Sequence, residues 1–445
     1  MSRWWRWFLP GMKIKRWLIL LLAGAVLLGI GVYFLFGRDI QFLNMYMQEM
    51  LFKLTGSRWG QFLGILLFIL GGILTTVGFN RLLVAMKRTL LPDATPHLAD
   101  LFYQKRKQRR GPKLVVIGGG SGLSVLLRGL KLYTGNLTAV VTVADDGGSS
   151  GMLREEMGAL PPGDIRNCIL AMANTEPSLQ RLFNYRFEEG RLKGHNFGNL
   201  FLTAMTAVND GNFEKAIQET SKVLSVVGEV FPSTLERVTL IAETCLGEMI
   251  VGESNIGHAH APICQVRLEP PTSQPMPEVL KAIAEADAIV LGPGSLYTSI
   301  IPNLLVNGVA EAIAKSPAIS LYVVNVMCQP GETDHLTASQ HVAILNEYLS
   351  KGSLDYAFVN SGDVAVEWLE RYSQSGGEAV ENDSARIQKM GVKVIENNYV
   401  KYQNYVRHDE ERLAKDIIEL ILAEKLTLQQ RRDLVDSLQK EKQLS

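Results

Sequence analysis

Six short stretches hold most of the residues able to do chemistry, and all are glycine-rich or polar turns. The first is Gly118-Gly119-Gly120-Ser121-Gly122. Glycines let a ligand approach the main chain, and the unpaired N–H groups and dipole of a following helix favour an anion. The second, Asp145-Asp146-Gly147-Gly148-Ser149-Ser150, joins two acids to backbone and hydroxyl donors. The acids could hold a ribose, a substrate hydroxyl or Mg²⁺. The third contains Asp164, Arg166 and Asn167 behind Pro161-Pro162. Asp164 reads as a helix N-cap, and Arg166 suits bidentate phosphate or carboxylate contact. The fourth contains His195, Asn196 and Asn199. His195 is an acid/base candidate with a structural role as its alternative, and Asn199 reads as a buried polar contact. The fifth, Gly292-Pro293-Gly294-Ser295, offers Ser295 as a helix cap or phosphate ligand. The sixth is 325–333, where Cys328 reads as a buried thiol because no basic neighbour is evident.

Several familiar chemistries are excluded. G-x-G-x-x-G from Gly118 would need glycine at 123, which is Leu123, and G-x-x-x-x-G-K-[ST] is absent. The turn at 292–299 does not fit G-x-S-x-G. His258 and His260 have strand spacing but no third ligand at metal-site spacing. The four cysteines form no C-x-x-C pair and read as reduced, mostly buried thiols.

These turns need a scaffold. Apolar runs rich in β-branched residues at 114–117, 137–144, 288–291, 319–326, 356–359 and 392–395 read as strands buried on both faces. Helical spacing between them predicts right-handed βαβ units, hence a doubly wound, mostly parallel Rossmann-like α/β sheet. Between the second and third runs, an insertion predicts helices at 165–173, 198–208 and 213–224. It also predicts short strands at 238–241, 248–252 and 263–268.

The first 110 residues differ. Runs 17–37 and 59–80 carry no charge, and each is about as long as the ~20 residues that cross a bilayer as helix. Lys and Arg flank the pair on its outer sides, which predicts a two-pass hairpin in the cytoplasmic membrane with both ends in the cytoplasm. Trp4, Trp5 and Trp7 read as an interfacial anchor, and the apolar loop 40–54 as lying along the far interface. The expected organisation is a membrane hairpin at 1–92, a basic juxtamembrane linker at 93–112, an α/β domain at 113–409 and C-terminal helices at 410–445. Lys+Arg and Asp+Glu both number 45, so no global basic field argues for nucleic acid.

Taken in order, GGGSGL, DDGGSSG, LPPGDIRN, GHNFGN, LGPGSLYTSIIPNLL and NVMCQPGET resemble the gluconeogenesis factor family of bacteria. That family is related to 2-phospho-L-lactate transferase. The resemblance spans about 113–360, and the N-terminal hairpin lies outside it. It implies a Rossmann-like core that binds a UDP-sugar, typically UDP-N-acetylglucosamine, and a link to carbon metabolism, cell-wall synthesis and cell shape, without an established catalytic activity. By resemblance, 118–122 with Ser149 and Ser150 face the diphosphate, and Asp145 and Asp146 lie near the ribose or sugar. Asp164, Arg166, Asn167, Asn196, Asn199, Gly294 and Ser295 line the rest of the cleft. Three positions depart from the family pattern: Ser121 and Cys328 stand where Thr is usual, and Met152 where Arg is frequent. The implied partners are the nucleotide sugar, the membrane and a cell-wall enzyme, with a homo-oligomer expected. The alternative is a Mg²⁺-dependent transferase of a phosphate-bearing group, with Mg²⁺ on Asp145 and Asp146.

Overall fold

The structure, a computed structural model, describes residues 15–36, 58–90, 111–258, 261–349, 352–374, 376–403 and 405–424. The tryptophan anchor at 4–7, the loop at 40–54, the basic segment at 105–110, His260 and residues 425–445 lie outside them. The chain divides into two units, 1–103 and 104–445.

In the first unit, α1 (Lys15–Phe36) and α2 (Arg58–Leu90) pack against one another. Stretches Arg16–Leu35 and Phe62–Leu82 are long and apolar enough to cross a membrane. Their buried positions are Gly24, Gly31, Gly64, Gly71 and Gly78, whereas large apolar residues such as Phe62 and Ile73 face outward. A Cβ on Gly71 would lie 2.6 Å from the Leu28 amide nitrogen, and one on Gly31 would lie 2.7 Å from that of Phe68. Small residues at sevenfold spacing let the two backbones meet, as suits a solvent with no hydrophobic drive between helices.

The second unit is built on seven parallel strands. β1 (Leu114–Gly118) leads to α3 (Gly120–Leu130), and β2 (Leu137–Val141) to α4 (Gly148–Met157). The insertion follows as α5 (Gly163–Met172), α6 (Pro177–Asn184), α7 (Phe197–Val208) and α8 (Phe213–Val223). β3 (Glu229–Pro232) returns to the main sheet. β4 (Thr239–Thr244), β5 (Met249–Val251), α9 (Glu253–Ile256) and β6 (Ile263–Glu269) form a small antiparallel sheet with a one-turn helix. Then come α10 (Pro277–Glu285), β7 (Ala288–Leu291), a π-helical turn (Leu296–Ile300), α11 (Ile301–Leu304), α12 (Val309–Lys315), β8 (Ile319–Val323), α13 (Ala338–Tyr348), β9 (Tyr356–Asn360), α14 (Val366–Ser373), α15 (Ser384–Lys389) and β10 (Lys393–Asn397). The hairpin β11 (Val400–Tyr402) and β12 (Val406–His408) precedes α16 (Glu410–Glu424).

The sheet order is β10-β9-β8-β7-β1-β2-β3, and every pairing is parallel. The order reverses between β1 and β7, which opens a crevice at their C-terminal ends. Side-chain alternation divides the core in two. Leu114, Val116, Ala288 and Val290 face one layer, with Leu123, Leu126, Leu127 and Leu130 of α3 and Leu413, Ile417 and Ile421 of α16. Val115, Ile117, Ile289 and Leu291 face the other, with Val279 and Ile283 of α10. A strand covered on both faces has no polar side, so its run is continuously apolar.

Four expectations change. β2 ends at Val141 rather than Ala144, and β8 at Val323 rather than Val326, because the chain leaves the sheet to build the rim. β3, only four residues long and ending in proline, has no recognisable run and escapes prediction. The segment from 410 begins as a core helix: Leu413, Ala414, Ile417, Ile418 and Ile421 are fully buried. Finally, Cys245 and Cys264 are exposed and joined in a disulfide with Cα atoms 5.0 Å apart, and only Cys168 and Cys328 are free and buried. Antiparallel register, which sets Thr244 against Ile263, brings that pair together from distant positions.

Candidate functional site

Local geometry at the first turn explains its composition. Gly120 opens α3 with φ +65°, a conformation that a Cβ disfavours. A Cβ on Gly122 would lie 2.5 Å from the Pro293 carbonyl oxygen, so the turn after β7 packs directly on the turn after β1. Asn325, at the end of the next strand's extension, fixes the second turn. Its Oδ1 accepts from Gly294 N–H at 3.1 Å and its Nδ2 donates to Gly294 O at 2.8 Å. Gly292 is held by its N–H on Ile117 O, and Gly118 O accepts from Thr142 N–H and Asn303 Nδ2.

Around these turns lies a cleft of 790 Å³, within the range of small-molecule sites. It is lined by Gly119 to Gly122 and by Pro293, Gly294 and Ser295. Asp145, Asp164 and Glu253 form an acidic wall. Met327, Tyr372, Tyr405 and Arg407 belong to the same lining. Tyr372 Oη accepts from Val406 N–H at 3.0 Å, and the Arg407 guanidinium lies 5.8 Å from the Tyr405 ring centroid. Arg407 is the one Lys or Arg among the described residues that line the cleft.

The acids are poised by burial. Asp164 is in the first turn of α5, two residues after the N-cap Pro162, and does not cap that helix. Its carboxylate accepts from Gly120 N–H, and burial with neighbouring Asp145 pushes its pKa up to about 7. Burial also raises Asp145, against the lowering effect of bonds from Gly147 N–H and Ser150. Glu253 is pushed up to about 8 by burial and then by four carboxylates, led by Asp145. Glu332 is pushed up to about 7 by burial, although Thr298 Oγ1 donates to it at 2.9 Å. The Cys328 thiol is raised to about 12, chiefly by burial, which suits an inert thiol.

Other expected residues serve beside the cleft. Ser149 Oγ accepts from Asn196 N–H and Ser150 Oγ from Gly163 N–H, both at 3.1 Å, so the two hydroxyls pin the entries of α7 and α5. Asp146 Oδ1 accepts from Ser254 N–H at 2.8 Å and so turns to the one-turn helix α9. Gly147 is the N-cap residue of α4, and Gly148 follows it. Asn196 caps α7 by accepting from Asn199 N–H. Arg166 passes over Gly198 and donates to Asn167 Oδ1, and burial lowers its pKa to about 10. His195 Nδ1 and Asn199 Oδ1 are buried without a hydrogen-bond partner. Ser295 donates to Gln329 Oε1 rather than capping the π-helical turn. Glu253, Tyr405 and Arg407 escaped the sequence reading because each sits in an ordinary charged or aromatic context. Only the return of α9 and the β11–β12 hairpin brings them to the rim.

For Mg²⁺, the cleft offers the hard oxygens of Asp145 and Asp164, while Asp146 is engaged elsewhere. Among the described residues, no group of three or more His, Cys, Asp or Glu is placed to hold one metal ion. A Mg²⁺ here fits only with ligand oxygens completing its shell, as is common for this ion.

An all-parallel sheet whose reversal point carries glycine turns and buried acids defines a Rossmann-like α/β protein with a candidate ligand cleft. The chain belongs to the family described as 2-phospho-L-lactate transferase CofD, whose model matches residues 114–400. Among its relatives is a gluconeogenesis factor of Bacillus subtilis, 46% identical over 70% of this chain and 98% of that protein. Relatives provisionally given the same name, from Clostridium acetobutylicum and a Nostoc species, are 42% and 43% identical over 94% of this chain and 92% of their own length. Those two matches extend into the N-terminal unit. A crystal structure of a UPF0052 family member from Bacillus halodurans superposes with a TM-score of 0.68 at 44% identity, covering 69% of this chain and 99% of that one.

Proposed function

We propose that this chain is a membrane-tethered, UDP-sugar-binding regulatory protein that links carbon metabolism to cell-wall synthesis and cell shape. The observation that carries the reading is a single cleft lined by two unlike sets of residues. Glycine turns at the head of α3 and after β7 suit a diphosphate. Tyr372, Tyr405 and Arg407 in the same lining suit a planar base, since aromatic faces and a guanidinium both stack on it. The apolar helices α1 and α2 support the tether. On this reading, ligand binding shifts a conformational balance that a cell-wall enzyme senses. Calorimetric titration of the full chain in detergent with UDP-N-acetylglucosamine tests it: saturable binding is expected, and no heat at millimolar ligand would refute it.

A second reading is a Mg²⁺-dependent transfer of a phosphate-bearing group from a nucleotide donor. It is favoured by the two cleft carboxylates, Asp145 and Asp164, facing the glycine turn. Mg²⁺ would neutralise charge that builds at phosphorus, and Asp145 and Asp164, rather than Asp146, would hold it. Donor consumption that requires Mg²⁺ and is abolished in Asp145→Asn supports this reading. Its absence across a panel of acceptors favours the sensor.

A further inference from the structure

We infer that Cys245 and Cys264 form a surface thiol–disulfide exchange site, reducible by a dithiol, that fastens one wall of the cleft. The pair closes a loop of sequence separation 19. Within that loop lie β5, α9 and the residues that α9 and its exit turn bring to the cleft, Glu253, Gly257 and His258. The loop is also tied by the β4–β5 ladder, by Ile256 of α9, which is fully buried in the core, and by hydrogen bonds. Cys245 N–H donates to Pro262 O at 2.9 Å, Gly252 N–H to Leu240 O at 2.8 Å, and Ser254 N–H to Asp146 Oδ1 at 2.8 Å. β5 is a three-residue edge strand with exposed Met249 and Val251, so it adds little burial of its own. Opening the S–S bond leaves β5 and Ile256 seated and loosens chiefly the exit turn of α9, which carries Gly257 and His258 to the cleft.

Both sulfur-bearing residues are exposed, as exchange requires, whereas Cys168 and Cys328 are buried and Cys328 is held as the thiol. If the flanking charges of α1 and α2 place this unit in the cytoplasm, the disulfide faces a reducing pool, where such bonds are generally transient and sensory. The step balances as two exchanges. A thiolate of the dithiol attacks one sulfur, giving a mixed disulfide and releasing the other cysteine as thiolate. The dithiol's second thiolate then attacks the mixed disulfide. The dithiol leaves oxidised, and Cys245 and Cys264 end as two thiols that have gained two electrons and two protons.

The test uses the full chain in detergent, equilibrated against oxidised and reduced dithiothreitol at fixed ratios. Quenched samples are alkylated under denaturing conditions and their free thiols counted by mass. Two free thiols are expected at the oxidising end and four at the reducing end, with one midpoint that Cys264→Ser abolishes and Cys168→Ser leaves in place. Amide exchange of residues 257 and 258 should quicken by about tenfold on reduction, while β2 stays protected. Cys264→Ser should show the fast rate under both conditions. Four free thiols at the oxidising end would overturn the site, and unchanged exchange at 257 and 258 would overturn its role as a fastening. Neither readout requires a nucleotide, so failure of the UDP-sugar reading leaves this test standing.

Discussion

Replacing Asp164 by asparagine should make the protein more stable at alkaline pH. Asp164 has a folded-state pKa of about 7 against an ordinary value of 3.8. Between those two values the native state holds a proton that the unfolded chain has released. Stability therefore falls as pH rises through that window, the opposite of a salt-bridged carboxylate. A shift of about 3 units corresponds to about 4 kcal/mol as an upper limit, and relaxation of a site open to a cleft brings the expected effect to about 1–2 kcal/mol. The carboxamide of Asp164→Asn would keep an oxygen to accept from Gly120 N–H while removing the charge that faces Asp145. Urea unfolding of the full chain in detergent, from pH 5 to pH 8.5, measures this. The wild-type midpoint should fall across the range, with Glu332 and Glu253 contributing in the same direction because both are also raised. The variant should lose less and exceed wild type above pH 7. Equal pH slopes for the two proteins, or a variant weaker than wild type at pH 8, would refute the buried-charge argument.

Three further outcomes follow from distances already given. Gly122→Ala places a methyl group 2.5 Å from Pro293 O, so either α3 or the turn after β7 must move. A loss of about 1–3 kcal/mol is expected in urea unfolding, along with weakened anion binding. Arg407→Ala should weaken binding of UDP-N-acetylglucosamine about tenfold by calorimetry while leaving the thermal midpoint within a few degrees, since its ring contact is peripheral. Gly71→Leu drives a side chain into the Leu28 backbone and should separate α1 from α2, read as a fall in the thermal midpoint of the full chain in detergent.

Much of the scaffold was legible because strands buried on two faces have no polar alternation to obscure them. The run at 288–291 coincides with β7, and 114–117 falls one residue short of β1. The insertion's helices and small sheet also lie within a few residues of their predicted places, as at Phe197–Val208 and Ile263–Glu269. The site was legible as a set of turns but not as a division of labour. Ser149 and Ser150 have the composition of phosphate donors, yet a hydroxyl beside an incoming helix satisfies that helix's N–H groups first. Asp145 and Asp146 are neighbours in sequence, but successive residues in an extended loop point apart, and only Asp145 reaches the cleft. Tyr405 and Arg407 lie far along the chain from the glycine turns, and no local pattern reports a contact made by a returning hairpin.

The contact between α3 and α16 has a consequence for the order in which the protein can be made. A Cβ on Gly129 would overlap the Glu410 carbonyl oxygen, so the helix that carries the glycine turn is gripped along its back by the last described helix. Domains form as units while the chain emerges from the ribosome, N-terminal parts first. Here β1, an interior strand, lacks its neighbour β7 until residue 291 is made, and α3 lacks its backing until α16 is complete. A nascent chain stalled before residue 410 would expose Leu126, Leu127 and Leu130 and would display the glycine turn without holding its shape. The cleft thus takes its shape only once α16 has been made, well after the apolar helices α1 and α2 have left the ribosome.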